Sequence, residues 1–167
     1  MLLYQSPLQS KSNSFDLDSK NLSKYFSGLV ALKNNNNSKA LNYFNSSKIL
    51  INQHDPYLEK LVLSLILEDK VVQAINVIKT NSKKSSSNFF EAYILLVLDS
   101  IKKNKLDRAS LLLLEVPEYF QKDKFDYIIL ESLRQYVYVF NEKKILKKDQ
   151  NFGNLSLINE TFQRCYL

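Results

Sequence analysis

From residue 22 onward, apolar side chains recur at intervals of three and four. Leu22, Tyr25, Phe26, Leu29 and Leu32 fall on one stripe of a helix that faces a neighbour. The run Asn34 to Asn37 follows. Asparagine favours left-handed and side-chain-bonded turn conformations, so this run predicts a tight connection rather than helix interior. Ala40, Phe44, Ser47 and Ile51 then supply a second helical face, pressed against the first. Asp55 and Pro56 predict the start of a third helix. The carboxylate can accept from unpaired amides, and proline suits the first turn because its missing donor costs nothing there. That helix carries Leu58, Leu61, Val62, Leu63, Leu65, Ile66 and Leu67, apolar on most sides as befits a covered helix. Asp69 is expected to open a fourth, built on Val71, Ala74, Ile75 and Ile78.

The polar tract Thr80 to Ser87 predicts a solvated connector. Asn88 with Glu91 three residues on has the form of a capping box, opening a fifth helix through Ile94, Leu95, Leu98 and Ile101. A sixth is expected at about Leu106 to Leu114, ended by Pro117, which disfavours helix at Val116. Leu130, Leu133, Val137 and Phe140 mark a seventh from about Asp123. Beyond a connector carrying Lys143, Lys144, Lys147 and Lys148, a last helix is expected at Asn154 to Tyr166, with Leu155, Ile158, Phe162 and Cys165 on its packing face. Residues before 21 show no sustained periodicity and read as a loose arm.

Three small-then-large pairs recur along this pattern: Ala40 with Phe44, Ala74 with Ile78, and Ala109 with Leu113. Their spacings are 34 and 35 residues, the size of a helix-turn-helix unit in a helical solenoid. The alanine has a mechanical reason. Paired helices approach to about 8–10 Å, and a small residue at their crossing lets the larger one a turn later dock. The expected organisation is an arm at 1–20 and a repeat domain at 21–140. The domain contains hairpins at about 21–53, 54–87 and 88–120 and the first helix of a fourth at 121–140. A connector and terminal helix at 141–167 would form an incomplete or capping repeat.

Tyr25, Gly28, Ala40 and Phe44 together resemble the tetratricopeptide repeat pattern, best over Leu22 to Leu50. The later units keep Leu61 and Leu96 on their first helices, but Val62 and Val97 stand where Gly28 would recur, so they resemble degenerate copies as far as Phe120. The resemblance implies an all-α fold, a right-handed stack of antiparallel helical hairpins forming an α-solenoid. In such a stack Gly28, Ala40, Phe44, Ala74, Ile78, Ala109 and Leu113 pack the repeats. The first helices would line an inner surface with Tyr25, Leu29, Leu32 and Lys33, then Glu59, Leu63, Ile66 and Leu67, then Ile94, Leu98, Ile101 and Lys102. The function implied is a non-catalytic scaffold holding another protein's peptide or amphipathic helix. The Lys and Asn set with which some family members clamp a terminal carboxylate is missing.

Composition narrows the chemistry. With 2 Gly and 3 Pro in 167 residues, turn-rich sandwiches and barrels are disfavoured, as are glycine-dependent phosphate loops. One His and one Cys supply a metal centre poorly, and His54 and Cys165 lie too far apart along a stacked array to form a catalytic pair. The carboxylate pairs Asp16/Asp18 and Glu68/Asp69 read as solvation and capping. No residue set points to catalysis, a metal or a cofactor. The net charge of +6 comes mainly from lysine, and Lys79, Lys83, Lys84, Lys102, Lys103 and Lys105 near helix ends complement helix dipoles. A basic helical-repeat module binding RNA is therefore the alternative, and self-association through the C-terminal end a third. A lone cysteine forms no internal disulfide, so a reduced cytoplasm is expected. Met1 to Tyr4 is too short for a secretory apolar region, and the Ala92 to Leu98 run is far below a membrane span.

Overall fold

The computed structural model describes residues 19–121, 124–146 and 152–167. Most of the expected arm, the Asp16/Asp18 pair, and Lys147 and Lys148 lie outside the described residues. Among those described, every regular element is helical: α1 (Ser19–Lys33), α2 (Asn37–Asn45), α3 (Pro56–Leu67), α4 (Val71–Asn81), α5 (Phe90–Lys102), α6 (Leu106–Leu114), α7 (Lys124–Glu142) and α8 (Asn154–Tyr166). Short 3-10 segments occupy Lys48–Asn52, Ser85–Ser87 and Glu118–Gln121. Each α-helix packs on the next, and α1 also touches α3.

The turns that end α1, α3 and α5 share one backbone geometry. Asn35, Asp69 and Asn104 have φ of 57°, 57° and 54°, a left-handed conformation that asparagine and aspartate tolerate better than most residues. After each, an amide reaches back into the closing helix: Asn36 to the Ala31 carbonyl at 2.9 Å, Lys70 to Leu65 at 2.8 Å, and Lys105 to Ser100 at 2.8 Å. Such bonds satisfy carbonyls that the helix end leaves free. The three left-handed residues stand five positions before Ala40, Ala74 and Ala109, so the turn follows the same spacing as the alanines. All three alanines are fully buried, and Phe44, Ile78 and Leu113 are buried beside them. A Cβ on Gly28 would lie 2.7 Å from Phe44 Cε1, so the ring occupies space that only a glycine on α1 leaves open. Lys143, with φ 54°, closes α7 in the same left-handed way.

Local polar chemistry departs from expectation in several places. The second helical stretch breaks after Asn45, because the Ser46 and Ser47 hydroxyls donate to the Asn42 and Tyr43 carbonyls and the chain tightens into the 3-10 segment that follows. Asp55 makes no capping bond; its own backbone is already helical. Asp69 closes α3 instead of opening α4, and Asn88 accepts from the Tyr93 hydroxyl while Phe89 takes the cap position of α5. The tract expected to be a solvated connector begins inside α4, and Asn81, Ser86 and Ser87 are buried. Phe26, assigned to the inward stripe of α1, is exposed.

The last helix departs in part from the expected packing. On α8 the buried side chains are Asn159 and Gln163, whereas Ile158 and Cys165 are exposed. Of the expected packing face, Leu155 is half-buried and Phe162, though 38% exposed, packs on Tyr136 and Phe140 of α7 with ring centroids 4.6 Å and 5.8 Å away. The facing surface of α7 explains the buried amides, for beside Tyr136 and Phe140 it presents polar groups. Asn159 Nδ2 donates to Ser132 Oγ at 3.0 Å, Gln163 Nε2 donates to Gln135 Oε1 at 3.1 Å, and the amide of Leu146 donates to Gln163 Oε1 at 2.9 Å. Apolar residues turned inward here would strand those partners without hydrogen bonds.

Two buried clusters hold the helices together. One joins α1 to α4 and the start of α5, around Phe44, Leu50, Tyr57 and Leu58. The other joins the rest of α5 to α6 and α7, around Val97, Leu113, Leu130 and Val137. In the first, the Tyr57 hydroxyl donates to the Phe44 carbonyl, and burial pushes its phenol up to about 12. The folded chain thus holds this proton more tightly than the unfolded chain, whose tyrosine titrates near 10. Its contribution is fully present below pH 10 and is lost as pH rises towards 12. In urea titrations, the wild-type midpoint should fall more steeply across that window than the midpoint of Tyr57→Phe. Parallel pH profiles would remove Tyr57 as the cause.

Candidate functional site

The twelve residues implied for an inner surface separate by burial. Tyr25 is only 3% exposed, packed edge-on to His54 with ring centroids 4.8 Å apart and close to Phe44 and Tyr57. It is a packing residue, out of a partner's reach. The same contact leaves His54 half-buried. Leu29, Leu32 and Ile66 lie partly buried against the first cluster, and Ile94 and Ile101 against the second. Lys33 and Lys102 are exposed, while Glu59 is paired with its neighbour Lys60. The apolar residues left open are Leu63 and Leu67, one turn apart on α3 at 39% and 46% exposure, and Leu98 on α5 at 46%.

Further open surfaces were not legible as sites. Phe26 and Val30 of α1 line a cavity of about 530 Å³ with Lys39 and Tyr43 of α2. Leu114 lines an apolar groove of about 280 Å³ with Val137, Tyr138 and Leu146. A third cavity, about 480 Å³, lies between α4, α5 and α6 and gathers Lys79, Asp99, Lys103, Lys105 and Arg108. Asp99 is its organiser: one carboxylate oxygen lies 2.6 Å from Lys79 Nζ and the other 2.7 Å from Lys103 Nζ. The hydrogen bonds from Lys103 and Lys79 hold its carboxyl below the usual carboxylate range. The lysines were visible in the sequence as dipole partners at helix ends. Their convergence with Arg108 was not, because Lys79 and Asp99 are twenty residues apart and meet only when α4 packs on α5.

Among the described residues, no group of three or more His, Cys, Asp or Glu could hold a metal ion, and no helix is long and apolar enough to cross a membrane. Compared with known proteins, the chain matches no family model, no curated protein and no solved structure.

Proposed function

We propose that the chain is a non-catalytic interaction scaffold, a stack of tetratricopeptide-like hairpins whose α3 and α5 faces receive an apolar helix of another protein. The observation that carries this reading is the exposure of Leu63, Leu67 and Leu98 on two first helices, where a face turned permanently to water would be polar. The recurrent left-handed turns at Asn35, Asp69 and Asn104 support the repeat reading, because they space the hairpins alike. Leu63 and Leu67, four residues apart on α3, suit the apolar face of an amphipathic helix, which docks through anchors three and four residues apart.

The triple variant Leu63→Glu/Leu67→Glu/Leu98→Glu tests this. All three side chains are exposed, so the fold should survive, as checked by circular dichroism. Wild-type and variant baits carrying a photocrosslinker on α5 are compared at low and high salt, and the crosslinked segments identified. The scaffold reading expects an amphipathic segment held at high salt and weakened more than about tenfold in the variant. Equal capture by both baits, or only salt-labile nucleic acid, would overturn it.

A further inference from the structure

We propose that the cavity between α4, α5 and α6 is a binding site for a small molecule carrying a diphosphate group. Four cations line it, Lys79, Lys103, Lys105 and Arg108, against the single carboxylate of Asp99. Asp99 neutralises only part of this charge while holding the ammonium groups of Lys79 and Lys103 on its two oxygens, so charge from two helices is fixed at one place. Lys105 and Arg108 form no ion pair among the described residues, and the nearest further carboxylate the lining shows is Glu115, which shares an adjoining cavity with Arg108. Four cations against these two carboxylates leave an excess of positive charge, which in a concavity focuses an attractive potential on anions.

The chemistry of the lining favours phosphate. A guanidinium offers paired donors matching two phosphate oxygens, and ammonium groups on flexible stems can follow the remaining ones. Leu96 and Leu112 line the same cavity, and apolar walls lower the local dielectric and strengthen each contact. Its volume lies within the range of small-molecule sites. A smaller cavity of about 120 Å³ adjoins it, sharing Arg108, Leu96 and Leu112. It adds the Glu115 carboxylate, which disfavours phosphate there, and the Tyr93 ring, which offers a surface for an organic group attached to the phosphates.

Isothermal titration with inorganic pyrophosphate and, separately, with ADP, both without metal, tests the site on the intact chain. The variants are Lys105→Gln/Arg108→Gln in the cavity and Lys33→Gln on α1 as a control; all three side chains are exposed, and unchanged melting temperatures confirm folding. The site predicts saturable binding to wild type and Lys33→Gln, weakened at least about tenfold in the double variant and by added salt. Tighter binding of ADP than pyrophosphate would place the organic group by Tyr93, and equal affinity would assign recognition to the diphosphate alone. Absence of saturable binding by either probe, or a double variant that binds like wild type, would overturn the proposal.

Discussion

Phe44→Ala is expected to lower the unfolding free energy by about 3–5 kcal/mol, the cost of deleting a fully buried aromatic side chain. The upper part of that range is favoured by what surrounds the ring. Gly28 brings the α1 backbone against Phe44, and backbone cannot swing into a vacated space as a side chain can. Tyr25 and Tyr57 bound the ring on other sides, with centroids at 5.8 Å and 6.2 Å, and both are themselves held in the cluster. The cavity should therefore persist. Urea unfolding followed by circular dichroism would show a lower midpoint at an unchanged slope. A midpoint within error of wild type would mean that the Gly28 and Phe44 crossing does not bear on stability.

Leu130→Ala should cost about 2–5 kcal/mol from the other end of the molecule. Leu130 is fully buried on α7 and belongs to the cluster with Leu113 and Val137. Because Phe44 and Leu130 fall in clusters that share no buried residue, their effects should add to within about 0.5 kcal/mol in the double variant. The same urea experiment decides this. A large departure from additivity would show that α5, which places Ala92 in one cluster and Val97 in the other, couples them as one core.

The helices were legible where local signals agree. The expected limits of the sixth and eighth helices coincide with α6 and α8, since Pro117 stops the one and an apolar period of 3.6 marks the other. Caps were less legible, because a single Asp or Asn can accept at a helix start or turn left-handed at a helix end, and Asp69 and Asn88 took roles other than capping. Of the candidate surface, the α3 and α5 leucines were named only through the resemblance to tetratricopeptide repeats, and the cavity around Asp99 was not legible at all, for its charges come from separate parts of the chain.

By itself, the sequence determined the all-helical architecture and the spacing of its turns. These follow from periodicity, from the scarcity of glycine and proline, and from asparagine and aspartate at the left-handed positions, all of them interactions within a few residues. Tertiary structure alone decided which side chains at the edges of the helix faces are covered. Phe26 lies open, Tyr25 beside it lies buried, and α8 turns Asn159 and Gln163 inward, because the choice depends on what the neighbouring helix presents and how its hydrogen bonds are met.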